Sequence, residues 1–222
     1  MSETPQKLKP IRSYVRRERR MNYMREEAFN RLWEKYGLDV KNPLPNNGYI
    51  LEIGFGYGDA LIASAIKNPD KNYIGIEVYR PGVEKIFTLI DDNKLTNVKV
   101  YHEDAMLVLN ESIPDNSLEG VRLCFPDPWP KRRHYKRRLV NPNFIDLIYK
   151  KLKVNGFFHF ASDWEDYVDW TKKLFQSCGV TLAILPFNER MASVTPERPM
   201  TNFARAGIAA GRKISDLIFV KL

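Results

Sequence analysis

After Gly48 the chain alternates short apolar runs with longer amphipathic ones, and this alternation leaves few architectures open to it. The runs are Tyr49–Ile53, Tyr73–Ile76, Val98–Tyr101, Val121–Phe125, Phe157–Ala161, Thr181–Leu185 and Leu217–Val220. Each has the length of a strand and is too short for a helix. Asp59–Lys67, Pro81–Asp92, Ala105–Leu109, Pro142–Leu152 and Asp166–Cys178 read as helices between and after them. Such alternation predicts a doubly wound α/β sheet with helices on both faces. Ligands of such sheets sit beyond the carboxyl ends of the strands, so the residues that end each strand matter most.

Upstream of the break at Pro43–Gly48, Met21, Met24, Ala28, Leu32 and Tyr36 recur at helical spacing, which predicts a helix over Met21–Tyr36. Residues 1–20 are polar and basic and carry Pro5 and Pro10, so a flexible arm is expected there, with residues 21–222 forming one domain. A formal charge of +8 points to an anionic partner. No apolar run is long enough to span a bilayer, and nothing after the N-terminus reads as a signal peptide. Cys124 and Cys178 are too few for a disulfide framework, and His102, His134 and His159 stand apart from any ligand spacing. A reduced cytoplasmic protein without metal is expected. Monomer and homodimer are equally open.

The first strand runs into Glu52-Ile53-Gly54-Phe55-Gly56-Tyr57-Gly58. Gly54 and Gly56 allow close approach of a ligand to the backbone ahead of a helix N-terminus. A dinucleotide loop would carry its third glycine where Asp59 stands. Glu52 would repel a pyrophosphate and attract an ammonium. The second strand ends at Glu77, placed for ribose hydroxyls, and the third at Glu103-Asp104, placed for an adenine amine. Together these acids match the ammonium, ribose and adenine of S-adenosylmethionine better than NAD.

The fourth strand leads into Phe125-Pro126-Asp127-Pro128-Trp129-Pro130, where two prolines restrain the backbone of Asp127. The fifth leads into Ser162-Asp163-Trp164. Directly after the proline turn comes Lys131-Arg132-Arg133-His134-Tyr135-Lys136-Arg137-Arg138, without an acid. Like charges packed beside a strand-end site predict contact with a nucleic-acid backbone. Arg12, Arg16, Arg17, Arg19, Arg20 and Arg25 form a second, less specific basic cluster.

The ordered motifs EIGFGYG, IEVYRPGV, HEDA, FPDPWPKRRHYKRR, SDW and RPMTNF resemble those of the bacterial tRNA (guanine-N7-)-methyltransferase family, from about residue 49 onward. The resemblance implies a Rossmann-like class I methyltransferase sheet, mostly parallel, with its last strand antiparallel. It implies that Glu52, Glu77, Asp104 and Asp127 contact S-adenosylmethionine or lie at the methyl-transfer centre. Lys131, Asp163, Thr201, Asn202 and Phe203 would hold the guanine, and Arg133, His134, Tyr135, Lys136, Arg137 and Arg138 would grip tRNA. The target implied is a guanine in the variable loop. N7 carries an in-plane lone pair and no proton, so alignment and charge stabilisation would drive the reaction, with Asp127 as the catalytic group. Trp129 or Tyr135 would stack on the displaced base.

One departure stands out: Ala204 occupies the position where the family pattern has glutamate. Weaker discrimination for guanine is expected from its loss. Two other readings compete: a methyltransferase with a different RNA target, and a non-enzymatic RNA-binding protein on the same scaffold.

Overall fold

A computed structural model of the chain describes residues 13–14, 23–177, 182–185 and 200–222, without the side chains of 23–25, 182–185 and 202. The order of elements is α1 (Tyr23–Tyr36), β1 (Tyr49–Ile53), α2 (Asp59–Lys67), β2 (Tyr73–Ile76), α3 (Arg80–Asp92), β3 (Val98–Tyr101), α4 (Ala105–Glu111) and β4 (Leu118–Cys124). A 3-10 helix (Arg132–Arg137), α5 (Pro142–Lys151), β5 (Leu152–Ser162), α6 (Glu165–Ser177), β6 (Leu182–Leu185), α7 (Asn202–Ala209) and β7 (Ser215–Lys221) follow.

The strands form one sheet in the order β3-β2-β1-β4-β5-β7-β6. β1 pairs in parallel with both β2 and β4, so the connections reverse direction across the β1–β4 boundary. β7 lies antiparallel to β5 and β6, as expected for the last strand. The expected strand at Thr181–Leu185 is observed at Leu182–Leu185, and Thr181 lies outside the described residues. So does Cys178, at the end of the helix observed as Glu165–Ser177. Of the expected arm, only Ser13 and Tyr14 are described.

All five residues of β1 are buried, because helices cover both faces of the sheet. The pleat sends alternate residues to opposite layers. Leu51, Ile53, Ile74, Val121 and Phe158 join Phe144, Tyr167 and Phe175 of α5 and α6. Ile50, Tyr73 and Val100 join Phe29, Leu61, Ile86 and Phe87 of α1, α2 and α3. Each large apolar side chain buried this way contributes about 1.5–3 kcal/mol. The core thereby fixes the strand ends from which the polar loops project.

Candidate active site

The loop after β1 turns through Gly54 (φ 70°) and Gly56 (φ 61°), backbone conformations that L side chains rarely adopt. A Cβ at Gly54 would meet nothing within 4 Å, and one at Gly56 only the Phe203 ring edge at 3.9 Å. The loop is therefore an open backbone cradle. Glu77 closes one side of it. Its Oε2 accepts from the Gly56 N–H at 2.9 Å, and Oε1 accepts from Val78 and Tyr79 at 2.8 and 2.9 Å. Burial raises the Glu77 carboxyl above its ordinary value despite these three amides, and the negative charge of Asp127 adds to the shift. A carboxylate so placed favours further donors, such as a pair of hydroxyls.

Asp104 sits at the N-terminus of α4, where Oδ1 accepts from Met106 and Leu107 N–H at 2.9 and 3.2 Å. It is a helix cap as well as a strand-end acid. Glu52 is placed differently from the other acids. It shares the Ile50 face of β1, is buried, and lies 3.9 Å from Nη1 of Arg122, its register partner on β4. Arg122 also donates to Ser64 Oγ of α2 at 2.8 Å. The charge of Glu52 is thus shared with a guanidinium beneath the cradle.

The turn after β4 is strained at both ends. Phe125 (φ 53°) and Trp129 (φ 46°) are bulky residues in the left-handed region, each costing about 1–3 kcal/mol. Between them stands Asp127, exposed, with a charge that reaches both Glu77 and Tyr167. The Phe125 N–H donates to the Ala161 carbonyl at 2.7 Å, tying the turn to β5. The Trp129 indole N–H donates to the Ser13 carbonyl at 3.1 Å.

At the end of β5, Ser162 Oγ accepts from the Trp164 N–H at 3.1 Å and shapes the turn that carries Asp163. Asp163 Oδ2 accepts from Arg212 Nε at 2.7 Å. A Cβ at Gly207 of α7 would come within 2.8 Å of the same oxygen, so α7 packs closely against the Asp163 side chain. Thr201 caps α7 by accepting from the Ala204 N–H at 3.1 Å. Phe203, 63% exposed, lies beside Gly56 and stacks with Phe125 at 6.5 Å and 19°. The Asn202 side chain lies outside the described residues. Ala204 is completely buried, so a glutamate there would demand a shift of α7.

The basic run does not form a uniform face. Lys131, Arg132, Arg133 and Lys136 are exposed. Burial first, then the charges of Arg133 and Arg137, hold His134 below its ordinary value, so it is neutral at pH 7. The Arg137 guanidinium covers the Trp129 ring at 3.7 Å, and that of Arg138 covers Tyr135 at 3.7 Å. One face of each ring is thus occupied by a guanidinium, while Phe203 beside the cradle is an exposed ring. Arg138 itself is buried and paired with Asp166, separated from the exposed cations. The arginines at 12, 16, 17, 19 and 20, and the side chain of Arg25, lie outside the described residues.

Arg212 is a residue of this site that sequence reading missed, because nothing local marks it as the partner of an acid some fifty positions away. Among the described residues, no helix is long and apolar enough to cross a membrane, and no group of His, Cys, Asp or Glu could hold a metal ion.

An open glycine cradle after β1, acids at the ends of β2 to β5 and an antiparallel β7 define a class I methyltransferase. A 16S rRNA methyltransferase, KamB, has the same fold at TM-score 0.54 and 14% identity, over 89% of this chain and 94% of that one. Phosphoethanolamine N-methyltransferase 2 of Haemonchus contortus, solved with S-adenosyl-L-methionine, matches at TM-score 0.50 and 12% identity over 88% of this chain and 52% of that one. The family model described as "Putative methyltransferase" covers residues 46–217. The tRNA (guanine-N(7)-)-methyltransferase of Nitrosococcus oceani is 41% identical over 95% of this chain and 91% of its own length. The chain belongs to the tRNA (guanine-N7-)-methyltransferase family.

Proposed function

We propose that this chain transfers a methyl group from S-adenosylmethionine to N7 of a guanine in tRNA, in the variable loop, and that it works in the cytoplasm. The observation that carries the reading is the set of acids just past the ends of β2 to β5, Glu77, Asp104, Asp127 and Asp163, on the sheet edge that bears the open cradle at Gly54 and Gly56. The donor supplies a methyl group activated on a sulfonium. Glu77 would accept from its ribose hydroxyls, Asp104 from its adenine amine, and Glu52 would keep negative charge beneath its ammonium end.

No side chain has to remove a proton, because N7 already offers its lone pair. The work left to the chain is alignment and electrostatics. Asp127, on a strained and therefore fixed turn, would stabilise the purine as it becomes cationic. Asp163 would accept from the Watson–Crick edge, and Phe203 would offer the stacking face. Thr201, as the cap of α7, keeps Phe203 in place, and Asn202 and Lys131 would complete the guanine pocket. Lys131, Arg132, Arg133 and Lys136 would meet phosphates beside the turn where the Trp129 indole N–H donates to the Ser13 carbonyl.

Incubation with labelled S-adenosylmethionine and an unmodified tRNA transcript, followed by nucleoside analysis, tests the proposal. Label in 7-methylguanosine is expected. Label in another nucleoside would favour a different target, and RNA binding without label would favour a binding protein on the same scaffold.

A further inference from the structure

Arg138 ends the basic run, yet solvent barely reaches it (1% exposed). Its Nη2 donates to Asp166 Oδ2 at the start of α6, and its Nε donates to the Pro128 carbonyl at 3.0 Å. Its Cζ lies 3.7, 4.8 and 5.3 Å from the ring centroids of Tyr135, Tyr167 and Trp170. Nη1 has no hydrogen-bond partner among the described residues. Two of these rings are themselves anchored to one residue. The Val140 N–H donates to the Tyr167 hydroxyl at 3.1 Å, and the Trp170 indole N–H donates to the Val140 carbonyl at 2.9 Å.

Pro128 directly follows Asp127 and directly precedes Trp129, whose backbone is strained. Strained residues persist only where their surroundings over-determine them. The bond from Arg138 to Pro128 is one such determinant, a single peptide from the acid. A phosphate reaching this guanidinium would have to displace Asp166 and open the aromatic cage. We propose that Arg138 is a positioning residue: it clamps the Asp127 turn to α6 and binds no phosphate. The inference rests on the role given to Asp127 above.

The test compares wild type with Arg138→Lys and Asp166→Asn. Lysine keeps the charge but loses the planar fork, and Asp166 is an exposed partner whose loss leaves the core packed. Three quantities are measured: single-turnover methyl transfer at saturating tRNA, tRNA affinity, and the dependence of that affinity on salt. A misplaced reacting group costs about 100-fold in rate, so a fall of that order is expected for Arg138→Lys, and a smaller one for Asp166→Asn. Affinity and salt slope should stay at wild-type values in both. A weakened affinity with a flatter salt slope and an intact rate would overturn the proposal, as would an intact rate in both variants. If Arg138→Lys does not fold, Asp166→Asn carries the comparison. If wild type itself transfers no methyl group, the proposed function fails. The Trp129 indole resonance in nitrogen-15 NMR then still decides the clamp, which requires it to shift in the variants.

Discussion

Replacing Lys131, Arg132, Arg133 and Lys136 together with glutamine removes the cations of the run that are exposed, and leaves the paired and stacked ones in place. Each phosphate contact adds about 0.7–0.9 to the slope of log affinity against log salt, so four lost contacts lower that slope by about 3. Between roughly 50 and 200 mM salt, wild type should then lose about 50- to 150-fold more affinity for tRNA than the variant does. Fluorescence anisotropy with labelled tRNA transcript across a salt series measures this directly. His134, neutral at pH 7, should add nothing to the slope. Replacing Arg138 should leave it unchanged, because a charge held inside the protein releases no counterion from RNA. An unchanged slope in the fourfold variant would refute phosphate contact by this segment. A change of one contact on replacing Arg138 would refute its burial in the working enzyme.

Three further outcomes are expected. Glu77→Gln should weaken S-adenosylmethionine binding about 10- to 100-fold, since glutamine cannot replace a charged acceptor. Burial raises the Glu77 carboxyl above 4.5, so donor affinity in wild type should be full above that raised value and fall as pH drops through it. The variant should lack this acid limb; a variant that kept it would assign the titration to another group. Asp127→Ala should lower the methyl-transfer rate about 100- to 1,000-fold, in line with losing one electrostatic contact to a developing charge. Its melting temperature should hold, because Asp127 is exposed, and near-normal turnover would exclude the role given to it. Arg122→Met leaves Glu52 buried beside an apolar group and should cost about 3–5 kcal/mol in urea denaturation. A cost below that of an ordinary surface change would mean the pair is not buried in solution.

The strands were legible because a sheet covered on both faces asks for continuous apolar runs, and Tyr49–Ile53 and Val98–Tyr101 match their observed limits. β4 begins earlier than its apolar run, at Leu118, and β5 begins at Leu152, since pairing extends these strands beyond the apolar residues. α7 was missed. Asn202–Ala209 is only eight residues long and carries Gly207, yet Thr201 as its cap and Gly211 (φ 70°) just past its end were readable start and stop signals. The acids were visible as a set because each ends a strand. Their individual placement was not, because Glu52 meets Arg122 only through the β1–β4 register. The charge of the 131–138 run was equally plain, but which cations face solvent depends on Tyr167 and Trp170, which α6 brings in from distant sequence.

Titration calorimetry of S-adenosylmethionine into the purified protein asks whether the strand-end acids and the glycine cradle make one donor site. Saturable binding of a single equivalent is expected, weakened in Glu77→Gln and unaltered in the fourfold Lys131/Arg132/Arg133/Lys136 variant. Absence of binding, or binding indifferent to Glu77, would contradict it.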